Sequence, residues 1–494
     1  MIQTQYFPMR GGWNQEAPPL AMNPGELVDC ANYECLVNGG YRRIFGYELY
    51  DGQSTPSQAV PGVGPVLGVH IYKGEVYAIR EDGANGRLYR ATASGWVEVN
   101  NTITWSLNGN YKFANYNFGG QDAQETMYIV NGIDKAYKFD GLNFTQLTTG
   151  SGTDNPSLVL GYRYHLMLGV ESSLVISGIG NPESYLAGDG AAEIAVGDTI
   201  TNLREHTGAL IIGCEDSTKT LYGSSSADWE LQELNQAGSY EDTMQSIGGI
   251  VVGLDRQGVM SLMAAQQYGN FAYSSISQKI ASYVRAFGKE AVSTINRTNS
   301  QYRIFNGADG LYFTFNGPQL VGVTRTLFAN DVACIANGVT DGDFELSVFG
   351  SSDGNVYKMD SGFNFAGTSI YAFLLSTFSA VGGPTTNKRY RLIQPDIRVE
   401  GDPMQVFVRA TTEYGLGRSS RGTSEFLFSS PGSLWDVSKW GEFNWDSTYS
   451  NDAKVRVSVT GSNMGVYIST DGSEQSVHTI YGITLHYSPR RLQR

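Results

Sequence analysis

About every 40–50 residues the chain repeats one pattern, an apolar strand, a Gly-centred turn and a second strand, and this period marks stacked sheet arrays. The copies are Gly74-Glu75-Val76-Tyr77, Thr126-Met127-Tyr128-Ile129-Val130, His165-Leu166-Met167-Leu168-Gly169 and Ala209-Leu210-Ile211-Ile212-Gly213. Three more follow at Gly249-Ile250-Val251-Val252-Gly253, Tyr302-Arg303-Ile304-Phe305-Asn306-Gly307 and Phe344-Glu345-Leu346-Ser347-Val348-Phe349-Gly350. A sheet that is apolar on both faces must be covered on both. A ring of such sheets, a β-propeller, does this for every member at once. Asp82-Gly83, Asn85-Gly86, Asn131-Gly132, Asp140-Gly141, Asn316-Gly317 and Asp353-Gly354 supply hairpin turns. The predicted fold class is all-β: antiparallel sheets in six or seven blades over residues 61–370, the repeats themselves running from about 66.

The flanks differ from the repeats. Residues 1–60 are dense in breakers (Gly11-Gly12, Pro18-Pro19, Pro24-Gly25, Gly39-Gly40) and read as an extended N-terminal arm. Asn23, Pro24 and Glu26 are spaced to start a short helix that would turn Leu27, Val28 and Ala31 inward. A second helix is predicted over 277–287, where Ile280, Tyr283, Val284 and Phe287 recur at helical spacing. Beyond the linker Gly382-Gly383-Pro384, the segments at 391–399, 404–410, 455–459, 465–468 and 480–487 alternate with period two. They predict a C-terminal β-sandwich within 371–494.

Sixty Gly, 30 Tyr and only 17% charged residues suit tight turns and aromatic cross-strand pairs. No apolar run is long enough to span a bilayer, and the first residues lack a signal-peptide pattern, so cytosolic synthesis is expected. The net charge is −14. Residues 387–494 carry 13 Lys and Arg against 11 Asp and Glu, leaving 21 basic and 37 acidic residues, a net of −16, on the rest. Such a surface cannot grip nucleic acid broadly.

Readable chemistry is sparse. Cys30, Cys35, Cys214 and Cys334 form neither a disulfide framework nor a metal spacing, and buried thiols are expected. The five histidines show no metal pair, although His478 and His486 would share one strand face. Nucleophile elbow and P-loop are absent. Carboxylate pairs occur at Glu215/Asp216, Glu241/Asp242 and Asp341/Asp343, but glycoside hydrolysis needs two carboxylates converging on one bond. Ser352-Asp353-Gly354 has a faint sialidase-box look. Trp435, Trp440, Phe443 and Trp445 could form either a sugar platform or a hydrophobic contact. A carbohydrate-binding or glycan-hydrolysing propeller is therefore the alternative reading. The expectation is a non-enzyme without metal or cofactor.

Three stretches carry a family resemblance. Gly11-Gly12-Trp13-Asn14, Pro24-Gly25-Glu26-Leu27-Val28-Asp29-Cys30-Ala31-Asn32-Tyr33 and Gly39-Gly40-Tyr41-Arg42-Arg43-Ile44-Phe45-Gly46-Tyr47 make the first. Gly248-Gly249-Ile250-Val251-Val252-Gly253-Leu254-Asp255-Arg256-Gln257-Gly258-Val259 with Ser275-Ile276-Ser277-Gln278-Lys279-Ile280 is the second. Tyr481-Gly482-Ile483-Thr484-Leu485-His486-Tyr487-Ser488-Pro489-Arg490-Arg491 is the third. In this order they resemble bacteriophage tail nozzle and hub proteins, the packaged-DNA stabilisation proteins of short-tailed phages. The resemblance implies a virion tail protein assembled in the host cytoplasm. It also implies a ring of identical subunits, six in the family, below the portal and adaptor, that retains packaged DNA and lets it pass on infection. An acidic wall would repel passing double-stranded DNA and keep it mobile. Asp82, Glu215, Asp216, Glu241, Asp242, Asp341 and Asp343 are the candidate lumen acids.

Overall fold

The computed structural model describes residues 2–53, 57–99, 103–119, 125–150, 154–264, 271–340, 342–401, 404–415, 424–428, 454–472 and 476–492. Seven antiparallel sheets follow one another along 63–359 as blades. Blades 1 to 5 are four-stranded meanders over 63–98, 112–146, 158–195, 200–235 and 245–275. Blade 6 (292–332) has three strands of its own. Blade 7 (334–359) takes its fourth from the arm, where Tyr47–Leu49 pairs antiparallel with Val356–Met359. The first strand of each blade lies innermost against the next, and Cys334–Val339 of blade 7 returns to Val63–Tyr72 of blade 1. The ring is closed, with seven blades.

Each repeated sequence pattern falls on the second strand of a blade, and the reason is burial. Thr126–Val130, His165–Val170 and Ala209–Cys214 are buried at every position. A strand flanked by partners within its blade and covered by both neighbouring blades has no wet face, so its sequence is continuously apolar. Outer strands such as Glu230–Asn235 are largely exposed and carry no such signature.

The C-terminal region is the expected sandwich, but it is not built from 371–494 alone. In one sheet, Tyr33–Cys35, Tyr41–Arg43, Ser476–Leu492, Thr386–Gly401 and Val455–Gly461 lie side by side, with Gln3–Pro8 also pairing Ser476–Leu492. The other sheet orders Leu27–Ala31, Ala372–Ser376, Met464–Thr470, Met404–Thr412 and Ser424–Phe428. Residues 1–60 are thus no separate unit. Their strands complete both sandwich sheets and then the propeller.

Two helix expectations need correction. Leu27–Ala31 is a strand, because Leu27 N–H donates to Gly12 O and the segment pairs with Ala372–Ser376. The expected cap contact is nevertheless present, Asn23 N–H donating to Glu26 Oε2 at 3.2 Å, but it closes a turn instead of opening a helix. At 277–287 there is one 3-10 turn, Gln278–Ile280, and one α turn, Ala281–Val284. The predicted apolar side chains Ile280, Val284 and Phe287 are buried as expected.

Candidate functional site

The three stretches that carry the resemblance meet in space. Met9 N–H donates to Tyr481 O, and Gly40 approaches Tyr481, joining the arm to the last strand. Lys279 reaches the arm from the turn that follows blade 5: its Nζ donates to Glu26 Oε1 at 2.8 Å and Gly11 O at 3.3 Å, while its carbonyl accepts from Gln15 N–H. Glu26 is almost fully buried and also accepts from Asn14 and Asn23, and these donors hold its carboxyl below the usual range against the cost of burial. The arm then covers the open edge of blade 6, with Trp13 N–H donating to Val323 O at 2.7 Å and Asn32 N–H to Arg325 O at 3.0 Å. Gly12 adopts φ +77 there, and a Cβ would lie 2.4 Å from Val323 N, so the close approach requires glycine.

Deeper in this junction Arg303 of blade 6 is fully buried. Its guanidinium meets Asp360 Oδ2 at 2.7 Å and Glu34 Oε2 at 3.8 Å and lies 4.3 Å from the Tyr312 ring centroid. Glu34 belongs to the arm and is shared with Arg42 at 2.6 Å. The set ties arm, blade 6 and the chain just after blade 7 together, and Arg303 or Glu34 left alone would be a desolvated charge. One continuous apolar core runs from blades 5 and 6 (Ile250, Ile304, Phe313) through the arm (Met9, Trp13, Tyr41) into the sandwich (Val406, Ile468, Ile483).

A second feature lies on the propeller axis. The innermost strands enclose a cavity of about 310 Å3, lined by residues from every blade. Its charged lining consists of Lys112, Arg204, Asp242 and Arg297, with His70 between Phe113 and Asn115. Burial lowers the His70 pKa to about 4, so it is neutral at pH 7.

Among the candidate acids, Asp82, Glu215, Asp216, Glu241 and Asp242 occupy turns on the face where the innermost strands begin. Asp343 lies in the turn at the opposite face, and Asp341 is outside the described residues. The five are not bare. Asp82 pairs with Arg87 at 2.8 Å, and that bond with two turn N–H groups lowers its pKa to about 2. Glu215 meets Lys289 at 2.6 Å and Asp216 meets Arg256 at 3.1 Å. Lys112 holds Asp242 and stands 3.6 Å from Glu241, whose pKa is raised by burial. Of the six that lie among the described residues, only Asp242 lines the axial cavity. Most of the negative charge these residues carry is therefore answered locally.

Other sequence candidates have structural partners. Cys30, Cys35 and Cys214 are buried free thiols and Cys334 is half-buried. Asp353 accepts from Tyr357 O–H at 2.6 Å and from Asn355 N–H, stabilising its own turn. His478 Nε2 lies 2.7 Å from the Tyr33 hydroxyl. No group of three potential metal ligands occurs among the described residues, and no helix is long and apolar enough to cross a membrane. Trp435, Trp440, Phe443 and Trp445 lie outside the described residues. Sequence reasoning missed the Lys279–Glu26 and Arg303–Glu34 pairs, because the partners in each lie more than 200 residues apart.

No family model and no curated protein matches the chain. Among solved structures it is similar to the WD40 domain of a Toxoplasma gondii coronin, at 9% identity, covering 67% of this chain and 87% of that one, with a TM-score of 0.42. It is also similar to BBS1N, in its complex with ARL6DN, at 12% identity over 64% and 98% of the two chains, with a TM-score of 0.41.

Proposed function

We propose that this chain is a virion structural protein: a tail nozzle or hub subunit whose homo-oligomeric ring, a hexamer in the family it resembles, forms the distal end of a short-tailed phage's channel. In that position it retains packaged DNA beneath the portal and adaptor and lets it pass on infection. The observation that carries this reading is the junction: the three resembling stretches, separated by hundreds of residues, form one contact surface of arm, blade 5 and final strand. A ring subunit under the pressure of packaged DNA needs its domains locked as one body. The shared core and the buried Arg303 set supply that lock.

The faces of the propeller suit stacking. Large apolar side chains stand exposed in turns on the face where the innermost strands end, Phe344 at 76% and Leu142 at 83% among them. Neighbouring tail components would cover these side chains in the assembled tail. The chain needs no catalytic group for this role. DNA passes without specific contact, and because the paired acids repel weakly, retention falls to a steric gate or plug partner.

Electron microscopy of the purified full chain and of virions containing it tests the reading. Rings with a channel wide enough for duplex DNA, located at the tail tip, are expected. A monomer that never assembles and is absent from virions overturns it.

A further inference from the structure

The axial cavity contradicts the charge of the molecule around it. In a chain of net charge −14, three of the four charged side chains lining the cavity are basic: Lys112 from blade 2, Arg204 from blade 4 and Arg297 after the first strand of blade 6. Lys112 is satisfied by Asp242. Arg204 is not matched in this way. Its Nε donates to Met244 O at 2.8 Å and Nη1 to Leu203 O at 3.2 Å, both backbone carbonyls. The nearby carboxylate, Asp242, is already held by Lys112, and no carboxylate among the described residues pairs with Arg204. A guanidinium has five donors in a fixed fork suited to oxyanions. Half-buried in the cavity wall and hydrogen-bonded to carbonyl oxygens alone among the described residues, it is a cation without a carboxylate of its own.

We propose that the axial cavity is a binding site for a small oxyanion, of the phosphate or carboxylate class, held by Arg204 with Lys112 beside it. Asp242 sets the affinity. It competes with the incoming anion for the same two cations, so the site is partly occupied from within.

Calorimetric titration of inorganic phosphate, and separately of citrate, into the full chain tests this. One saturable site per chain is expected for at least one of the two, and the preferred titrant identifies the phosphoryl or the carboxylate form. Arg204→Met should weaken binding about tenfold or more, and Arg204→Lys should recover part of the loss. Asp242→Asn should tighten it several-fold, an effect that a merely damaged fold would not produce. Unaltered circular dichroism checks each variant. The proposal is overturned if neither anion saturates, or if Arg204→Met and Asp242→Asn bind as the unaltered chain does.

Discussion

The propeller and the sandwich are both antiparallel sheet structures, yet they are assembled by opposite rules. The strands of blades 1 to 5 pair with their neighbours in sequence, mostly a few residues away, as Ile250–Asp255 does with Gly258–Ala264, the longest link being the loop between Ser173–Ile176 and Ala192–Ala195. In the sandwich Gln3 pairs with Tyr487, Tyr41 with Ile480 and Leu27 with Ser376. Local pairing costs little loop entropy, whereas joining the two chain ends costs far more and is repaid only when the whole core is buried. The arm completes blade 7 with Tyr47, which packs among Phe328, Phe349, Tyr357 and Phe365.

The largest expected effect breaks the comparison outright. Removing residues 1–50 takes away strands from both sandwich sheets, the edge cover of blade 6 and the closing strand of blade 7. No cooperatively folded protein should survive, whereas removing residues 1–8, a mostly exposed edge strand, should leave the fold intact. A 51–494 chain that melts normally would show that the blades stand without the arm.

Arg303→Met comes next, because it removes the fully buried cation shared by Glu34 and Asp360 and leaves Arg42 as the remaining cation on the buried Glu34. A loss of about 3–5 kcal/mol in urea unfolding is expected. Inside a blade, Ile211→Ala should cost about 2–5 kcal/mol by opening a cavity in a strand covered on both faces. Because a single core joins blades 5 and 6 to the sandwich, propeller and sandwich should still unfold in one transition. Two separated transitions would argue for independent domains.

Acid should act through His478, and over the first pH unit below 6.5 the effect is smaller than that of these substitutions. Its ring is fully buried beside Arg43, and burial first, then that cation, pulls its pKa from 6.5 to about 3. The folded state keeps it neutral while the unfolded chain protonates below pH 6.5. Its contribution is complete above that pH and is lost as pH falls toward 3, by about 1.4 kcal/mol per unit. The difference in pH slope between the natural chain and His478→Gln measures it, and equal slopes would refute it. The smallest effect belongs to the surface: Asp82→Asn should leave the unfolding midpoint unchanged, since its Arg87 pair lies in an exposed turn.

The period of the repeats, the apolar second strands and the Asp-Gly and Asn-Gly turns were enough to read a propeller of six or seven blades, because those signals arise within about 40 residues of chain. The alternation at 391–399 and 480–487 likewise announced a sheet with one wet face. The same local reading made Leu27–Ala31 a helix, since the capping signal of Asn23 and Glu26 is local and the competing strand partner lies at 372–376. Nothing near Glu34 in sequence announces Arg303, and nothing near Arg204 announces that its one nearby carboxylate is taken by Lys112. Sequence by itself determined the blades, whose partners are their neighbours. Only the tertiary structure decided how the ends of the chain interlock and which charges face the axis, because those contacts exist only once distant segments have been brought together.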